Sequence, residues 1–366
     1  MTQRPIPFHF LRGGTSRGPY FLRSDLPEDE AHLSRVLISV VGAGNKRNID
    51  GLGGGVEVTT KVAMLSRSSE PGVDVDYFFA QVGVEEPTVD YRPTCGNILV
   101  GVGPAAIEMG LVEAKDPETV VRIRAVNTGA RVQSIVQTPG GRVTYEGDVS
   151  IDGVPGTAAP VALDFVDVVG SRTGGVMFPT GNPIDVIEGF EVTCIDVAMP
   201  MMIGRAADFG ITGYETVEEL DANRDLFARM EAVRLEAGRR MGFGDVTKSV
   251  TPKIGLVAPA RDGGHFAARY FMPWTTHPTL AVTGSQCLAA CALAPGTVCD
   301  GIALPVDASP VTMQIEHPVG KMDVTVKFAK TADGLEFHSA GVVRTARLIA
   351  RGEVMVPASA DAKGIA

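Results

Sequence analysis

Short runs rich in valine and isoleucine, separated by glycine and proline, constrain the fold of this chain most strongly. The 366 residues include 43 glycines and 24 prolines, and these fall between apolar runs at 56–65, 73–84, 119–128, 142–151, 254–260, 311–318 and 322–330. Several runs alternate apolar and polar residues with a period of two, which is the pattern of half-buried strands. The sequence therefore predicts an α/β (α+β) fold in which antiparallel or mixed sheet dominates.

Three segments have helical patterns instead. Residues 218–242 carry one apolar stripe with charges elsewhere, as a surface helix over a sheet does. Residues 96–110 and 279–293 are small or apolar on every side, which predicts two buried helices. Pro104 lies inside the first of these and is expected to kink it.

The two buried helices also suggest an internal duplication. Each follows a strand-like segment with aromatic residues, so the pattern indicates one α/β unit near residues 70–110 and a second near 265–294. Coincidence between two buried helices would produce the same pattern, and periodicity does not separate the two explanations.

Length, charge and cysteine content exclude several classes of protein. A chain of 366 residues favours two domains, and its apolar runs are too short to span a bilayer. The N-terminus lacks the pattern of a signal peptide, so we expect a cytoplasmic protein. A net charge of -10 argues against nucleic acid and anionic membranes as partners, and five scattered cysteines predict free thiols. The oligomeric state stays open, with a homodimer among the alternatives.

Residues 48–61 place four glycines before a lysine, Lys61. The phosphate-loop spacing G-x-x-x-x-G-K-[ST] is absent, which argues against nucleotide binding. Because Lys61 lies in a run of strand character, we expect it to project from a strand behind a glycine turn. Most such lysines are simply solvated. Small and apolar neighbours nevertheless favour the neutral amine that a general base requires.

Cys95 opens the first buried helix, in the stretch "PTCGN". Amide groups at the start of a helix favour a thiolate, so Cys95 is the cysteine that we expect to be reactive. The other four cysteines lie in apolar surroundings and are predicted to be buried and inert: Cys194, Cys287, Cys291 and Cys299. No metal-binding, dinucleotide-binding or nucleophile-elbow spacing occurs, so the sequence predicts an acid/base enzyme without metal or other cofactor.

Four stretches together form a known pattern. They are "FLRGGTSRGPYFLRSDLP" near the N-terminus, "IDGLGGG" followed by "TTK" at Lys61, "CGNILVGVGPAAIEMGLV" at 95–112, and "RTARLIARGEVMVP" at 344–357. Over nearly the whole chain the sequence resembles the methylaconitate isomerase family of diaminopimelate epimerase-like proteins. Within that family, "VDYFFAQVGVEEPTVDY", "IDGVPGTAAPVALDF" and "PTGNPIDVIEGFEVTCID" are most similar to the 4-oxalomesaconate tautomerases of gallate and protocatechuate degradation.

The resemblance implies two similar lobes, each a mixed sheet wrapped around a central helix, with the active site between them. Residues 1–182 and 345–366 would form the lobe that carries Lys61 and Cys95, and residues 183–344 the lobe that carries His277. In the epimerase relatives each lobe supplies a cysteine. His277 would stand at the second position here, which argues against a two-thiol mechanism.

The resemblance also assigns roles to particular residues. Lys61 and Cys95 match the catalytic pair of the family. Glycine-rich stretches can present backbone N–H groups to carboxylates, and arginines add charge-assisted donors, although each stretch taken alone is as well explained by an ordinary turn. The residues expected to bind substrate are Arg12, Gly14, Thr15, Ser16, Arg17, Gly54, Gly55, Gly96, Asn97, Thr180, Gly181, Asn182, His277 and Thr279.

The expected activity is a cofactor-independent 1,3-allylic proton shift, or tautomerisation, of 4-oxalomesaconate. The expected partner is thus a small unsaturated di- or tricarboxylate. The sequence departs from the tautomerase pattern at Arg17, where lysine is usual, at Thr94, where asparagine is common, and in the turn 42–48. Three alternatives therefore stay open: a 2-methylaconitate cis-trans isomerase, a 3-methylitaconate Δ-isomerase, and a non-catalytic carboxylate-binding protein.

Overall fold

The structure is a computed structural model that describes residues 3–166, 168–170, 172–306, 308–331 and 334–361. The chain forms two compact units, Met1–Asp164 with Val343–Ala366, and Phe165–Val342. The division predicted from the sequence assigned residues 165–182 to the first unit and 343–344 to the second, so both observed boundaries lie earlier in the chain.

Within the described ranges, the first unit contains eight principal strands, one short strand and four α-helices, besides short 3-10 helices. The strands are β1 (Gln3–Gly13), β2 (Ser16–Leu22), β3 (Lys61–Arg67), β4 (Val75–Val82), the short β5 (Val89–Asp90), β6 (Glu118–Ala125), β7 (Arg131–Gln137), β8 (Pro160–Val166) and the C-terminal part of β16 (Gly334–Pro357). The helices are α1 (Glu30–Val41), α2 (Gly96–Val100), α3 (Val102–Glu108) and the terminal α7 (Ala358–Asp361).

The strands of the first unit form a closed ring around one helical segment. Their order is β1-β2-β3-β4-β6-β7-β8-β16, and β16 pairs back to β1 from Gln3↔Pro357 to Gly13↔Ala346. The segment α2–α3 contacts β1, β2, β3, β6 and β7, and its residues 98–100 and 102–106 are all buried. This explains why the segment is apolar on every side.

The second unit is built from similar secondary-structure elements. Its strands are β9 (Asp185–Ile187), β10 (Phe190–Val197), β11 (Met199–Arg205), β12 (Lys253–Ala258), β13 (Phe266–Phe271), β14 (Val311–His317), β15 (Gly320–Thr331) and the first part of β16, in the order β16-β15-β14-β13-β12-β11-β10-β9. The helices are α4 (Val217–Ala222), α5 (Arg224–Arg240) and α6 (Val282–Leu293). The helix α6 contacts β10, β11, β14 and β15, and its residues 284–291 are buried.

The two units repeat one topology. In the first, the successive pairs β1–β2, β2–β3, β3–β4, β4–β6 and β6–β7 are antiparallel, parallel, antiparallel, parallel and antiparallel. In the second, the pairs β10–β11, β11–β12, β12–β13, β13–β14 and β14–β15 follow the same series. Each parallel pair is joined through helix, as parallel strands require. The predicted duplication, with one central helix in each unit, is confirmed.

Some predicted elements differ in detail. The run 142–151 contains no strand and makes a single bridge, Val149↔Ala158, because an alternating pattern does not reveal whether a partner strand is within reach. The predicted helix 218–242 is two helices, since Asn223 caps α5 by accepting from the Leu226 N–H. The break near Pro104 lies at Gly101, where the proline ring crowds the carbonyl of residue 100.

The remaining helices cover the outer faces of the sheets. Apolar residues of α1, including Leu33, Val36 and Leu37, share a core with Val62 and Met64 of β3. In the second unit, α5 packs in the same manner against β12. Nowhere in the described ranges does a helix have both the length and the apolar character that a membrane crossing requires.

Candidate active site

The turn between β1 and β2 lies against the start of α2. Gly13 pairs with Ser16, which leaves Gly14 and Thr15 as a two-residue turn. Gly14 has a φ of +50°, and a Cβ at this position would overlap the Asn97 side chain. Asn97 Nδ2 donates to Thr15 Oγ1 at 3.0 Å, and the Thr15 N–H donates to Asn97 Oδ1 at 3.4 Å. Glycine is therefore required where the turn meets the helix.

Strand β2 also contacts Lys61, the residue that ends the glycine-rich stretch 48–61. A Cβ at residue 18 would overlap the carbonyl oxygen of Lys61, so Gly18 lets the two backbones approach closely. Two residues further along β2, the buried Tyr20 donates its O–H to the Ile98 carbonyl at 2.6 Å. One strand thus contacts both Lys61 and the helix that follows Cys95.

Lys61 lies on a strand, as the sequence predicted, and it is half-buried. The strand β3 begins at Lys61 and not at residue 56, because Glu57–Thr59 form a 3-10 helix. Its Nζ donates to Gln81 Oε1 at 2.5 Å and lies 5.5 Å from the centroid of the Phe79 ring. These contacts hold the amine on one side only. Gln81, which lies on the neighbouring strand directly opposite Lys61, was not predicted from the sequence.

The orientation of the Gln81 amide follows from its other contacts. Its Nε2 donates to Thr60 Oγ1 at 3.1 Å and to the carbonyl oxygens of Glu57 and Val82 at 3.2 Å each. Because all three are acceptors, the NH₂ group must face them and the oxygen must face Lys61. Gln81 is therefore a fixed acceptor for one N–H of the lysine.

Cys95 occupies the N-cap position of α2 and is half-buried. This confirms the prediction that it opens the buried helix. Its carbonyl accepts from the Tyr77 O–H at 3.4 Å, and the Tyr77 ring lies 6.3 Å from the Phe79 ring beneath Lys61. Strand β4 thus brings Lys61 and Cys95 to the same region of the first unit. The backbone N–H groups of Gly96 and Asn97 form no hydrogen bond with a described residue.

Two tyrosines hold this region without serving as bases. Burial, followed by the neighbouring Cys95, raises the pKa of Tyr20 and of Tyr77 well above the ordinary tyrosine value. Both hydroxyls stay protonated and donate to carbonyls at the start of α2. Their role is to fix the position of Cys95.

The glycine loop is held by a buried asparagine that the sequence analysis did not identify. Asn48 is 1% exposed, and its Nδ2 donates to the carbonyls of Gly42, Asn45 and Val84 at 3.0, 3.1 and 3.2 Å. Its Oδ1 accepts from the Gly55 N–H at 2.8 Å. That N–H is therefore occupied within the loop, whereas the Gly54 N–H forms no hydrogen bond with a described residue.

The two predicted arginines have different surroundings. Arg12 Nη1 donates to the carbonyls of Gly14 and Thr345 at 2.9 Å each, so it braces the turn. Burial, followed by repulsion from Arg347, lowers the pKa of Arg12. Arg17 lies over the Phe10 ring at 5.6 Å, and a Cβ at residue 54 would lie 2.7 Å from its Nη2. Arg17 is thus the cation beside the glycine loop.

Ser16 has a buried hydroxyl that lacks an internal partner. The residue is 3% exposed, and its Oγ forms no hydrogen bond with the part of the chain that the structure describes. A buried hydroxyl of this kind is normally satisfied by a partner. Its position directly after the Gly14–Thr15 turn places it near Asn97.

The predicted residues Thr180, Gly181 and Asn182 lie in an exposed or half-exposed turn of the second unit. Thr180 Oγ1 donates to Asp185 Oδ2 at 2.6 Å, and Asn182 Nδ2 donates to Asp185 Oδ1 at 3.2 Å. These side chains hold a buried carboxylate of the protein itself. Within the described ranges, no hydrogen bond joins this turn to His277 or Thr279.

His277 lies in the loop before α6 and is half-buried. Its Nδ1 accepts from the Thr279 N–H at 3.0 Å, with Thr279 Oγ1 at 3.3 Å. Burial lowers the pKa of His277, so the neutral ring with the proton on Nε2 is favoured. The N-cap of α6, the position equivalent to that of Cys95, is Ala281 and not His277. His277 lies four residues before this N-cap, and its place at the second cysteine position stays a prediction.

The other four cysteines are free and buried, as predicted. Burial raises the pKa of Cys194 to about 12 and that of Cys287 well above its ordinary value. A hydrogen bond with Cys291, followed by burial, does the same for Cys299. In the described residues, no three His, Cys, Asp or Glu side chains cluster closely enough to hold a metal ion.

Comparison with solved structures agrees with the fold. The crystal structure of a methylitaconate-delta-isomerase matches with a TM-score of 0.90 and 33% identity, covering 100% of this chain and 99% of that chain. A hydroxyproline epimerase from Agrobacterium vitis matches with a TM-score of 0.52 and 13% identity, covering 98% of this chain and 93% of that chain. The second likeness concerns the fold alone. The predicted epimerase-like fold is confirmed.

Comparison with sequences identifies the family. A family model described as PrpF protein matches residues 3–357. The (4E)-oxalomesaconate Delta-isomerase of Novosphingobium sp. strain KA1 is 47% identical over 96% of this chain and 97% of that relative. The 4-oxalomesaconate tautomerase of Pseudomonas putida is 44% identical over 97% of both chains. The chain therefore belongs to the PrpF protein family, and it is an isomerase.

Proposed function

We propose that this isomerase catalyses a 1,3-allylic proton shift, or tautomerisation, of 4-oxalomesaconate without a cofactor. The observation that carries the proposal is that strand β4 contacts both Lys61, through Gln81 and Phe79, and Cys95, through Tyr77. An amine and a thiol can each carry one proton. With this substrate, the reaction would belong to gallate or protocatechuate degradation, as the resemblance implied.

In the first step, the neutral amine of Lys61 removes a proton from a carbon made acidic by an adjacent carbonyl and carboxylate. The C–H electron pair enters the conjugated system and forms a dienolate. Negative charge then develops on oxygen, where fixed N–H donors stabilise it most effectively. The N–H groups of Gly54, Gly96 and Asn97 are candidates, because they form no hydrogen bond with a described residue.

In the second step, a proton returns two atoms away, or to the enol oxygen, and the double bond takes its new position. We assign the return of this proton to Cys95, which then regains a proton from Lys61 or water. No electrons are gained or lost overall. The exposed Thr15 and the buried Ser16 hydroxyl, with Asn97 beside them, are proposed contacts for a substrate carboxylate. In the second unit, His277 and Thr279 are proposed as weaker contacts.

A second candidate substrate has its own support. The methylitaconate-delta-isomerase structure matches over the whole chain, and the 3-methylitaconate isomerase of Eubacterium barkeri is 36% identical. Identity to the two oxalomesaconate enzymes is higher, at 47% and 44%, which favours the first substrate. A 2-methylaconitate reaction needs the same proton chemistry and remains the third alternative.

The deciding experiment is an assay with 4-oxalomesaconate in deuterated buffer. Absorbance of the conjugated chromophore would follow conversion, and NMR would follow label in the product. We expect rapid conversion with one solvent-derived deuterium. Conversion of 3-methylitaconate or 2-methylaconitate alone would replace the substrate and keep the mechanism. Failure of all three compounds to exchange deuterium would favour a carboxylate-binding protein and contradict the proposal.

Replacement of Gln81 with leucine should lower kcat while leaving KM nearly unchanged. A hydrogen bond between uncharged groups is worth about 0.5–1.5 kcal/mol, so we expect a decrease of roughly 2- to 10-fold. Gln81→Glu should instead move the acidic limb of the kcat/KM profile to higher pH, because a carboxylate stabilises the ammonium form of Lys61. Steady-state kinetics across the pH range would measure both effects.

A matched control is Gln137→Leu, the same change on β7, where the amide donates to Glu118 at 2.9 Å. Its activity should equal that of the unmodified protein. A Gln81→Leu variant with normal kcat, or a Gln81→Glu variant with an unmoved profile, would contradict the positioning role.

A further inference from the structure

Lys253 occupies in the second unit the position that Lys61 occupies in the first. Lys61 begins β3, which is parallel to β2 and antiparallel to β4. Lys253 begins β12, which is parallel to β11 and antiparallel to β13. Each strand follows a crossover helix, α1 in one unit and α5 in the other. The duplicated topology therefore places a lysine at the start of the same strand twice.

The surroundings of Lys253 leave its charge uncompensated. The residue is half-buried, and its side chain forms no hydrogen bond or ion pair with any residue that the structure describes. Burial, followed by repulsion from Arg234, lowers the pKa of Lys253 to about 8. Lysines that are withdrawn from water are normally paired with an anion. Here the protein supplies a second cation instead.

Arg234 itself already has an anionic partner. It forms a two-pronged ion pair with Glu231 at 2.7 Å for each contact, and it donates to the carbonyls of Ser249 and Val246. The nearby carboxylate is thus engaged with the arginine. An anion that neutralised Lys253 would have to come from outside this cluster.

A hydrogen-bond donor, the imidazole of His277, lies near Lys253. The β12–β13 register pairs Ile254 with Phe271, and the His277 N–H donates to the Tyr270 carbonyl at 2.8 Å, so Lys253 and His277 lie at the same end of adjacent backbone segments. Because His277 Nδ1 accepts from Thr279, Nε2 carries the ring proton and is a hydrogen-bond donor. The His277 ring lies edge-on to Tyr270 at 5.7 Å, and Tyr270 packs on Gly284 of α6. The imidazole is therefore held in place beside the lysine.

We propose that Lys253 and His277 form a carboxylate-binding site in the second unit, with a small di- or tricarboxylate as its ligand. The ammonium supplies the charge and the imidazole N–H supplies a directional donor, a combination suited to a carboxylate. The ligand class rests on the proposed function. The site itself is inferred from the Lys253 ammonium and its surroundings. Lys253 is not among the residues expected for the catalytic pair or the glycine turns.

The test is direct binding of tricarballylate, a saturated tricarboxylate that has no double bond to move. Calorimetry would give the affinity, and fluorescence of Trp274 would give the location. Trp274 is the single tryptophan of the chain, lies three residues before His277, and stacks 5.8 Å from the Arg234 guanidinium. We expect saturable heat and a saturable fluorescence change in the unmodified protein.

Lys253→Met should weaken this binding at least tenfold and remove the fluorescence change, while Lys253→Arg should retain most of the affinity. Lys248→Met is the matched control, because Lys248 is exposed, lies five residues away, and loses the same charge. It should bind as the unmodified protein does. Lys253→Gln provides a second variant should Lys253→Met unfold, as judged by circular dichroism.

Two results would overturn the proposal. One is equal affinity in the unmodified protein and a folded Lys253 variant. The other is absence of tricarballylate binding up to about 10 mM. Failure of the oxalomesaconate assay is a separate outcome, because tricarballylate binding does not depend on turnover.

Discussion

Lys61→Met is expected to abolish isomerase turnover while the protein stays folded. Methionine keeps the unbranched apolar stem that packs over Phe79, but it cannot accept a proton. General acid–base catalysis contributes roughly 10²- to 10⁴-fold, so kcat should fall by at least this factor. Deuterium exchange into the substrate should disappear together with product formation, because the first proton is never removed.

The experiment combines steady-state kinetics with an NMR exchange assay and circular dichroism. Lys61→Arg is an informative companion: its guanidinium can still donate to Gln81, yet it stays protonated at every working pH. It should be inactive as well. Lys248→Met, an exposed lysine lost from the other unit, should keep full activity. Substantial turnover in a folded Lys61→Met variant would remove Lys61 from the mechanism.

Cys95→Ala is expected to separate the two halves of the reaction. Without the thiol, the proton removed by Lys61 has no efficient route to its new position, and product formation should fall by about 10²- to 10⁴-fold. The first step remains intact, so the substrate carbon should still exchange its hydrogen with solvent. This pattern differs from that of Lys61→Met, in which both are lost.

NMR of the substrate in deuterated buffer would measure exchange, and absorbance would measure product. Cys291→Ala is a suitable control, since Cys291 is a fully buried thiol in α6 of the second unit. It should exchange and convert normally. If Cys95→Ala loses exchange as completely as Lys61→Met does, the thiol takes part in the first step and the assigned order of proton transfers is wrong.

The local sequence pattern was sufficient to predict much of the candidate site. Lys61 on a strand and Cys95 at the start of a buried helix were both predicted, because period-two alternation and all-round apolarity are properties of contiguous residues. The pairing of strands is not a property of contiguous residues. The run 142–151, all of which the structure describes, alternates as a strand does, yet only Val149 forms a β-bridge.

The partners of the catalytic residues show the same limit. Gln81 lies opposite Lys61 through the register of β3 and β4, and no spacing rule connects two positions twenty residues apart on different strands. Asn48 holds its loop through carbonyls of Gly42 and Val84, which are polar groups common to every residue. Such contacts depend on where the backbone runs and not on residue type.

The amino-acid sequence specified the family, the mainly sheet architecture with two central helices, a lysine on a strand and a cysteine at the start of a buried helix, since each is written in residues close together along the chain. Which groups face those residues depends on strand register and on how the helices enter the sheets. The tertiary structure therefore decided that Gln81 is the partner of Lys61 and that Ala281 lies at the N-cap equivalent to Cys95. It also decided that Lys253 lies at the position that Lys61 occupies in the other unit. The physical reason is that hydrogen bonds and ion pairs act over a few ångströms in space, whatever the separation along the chain.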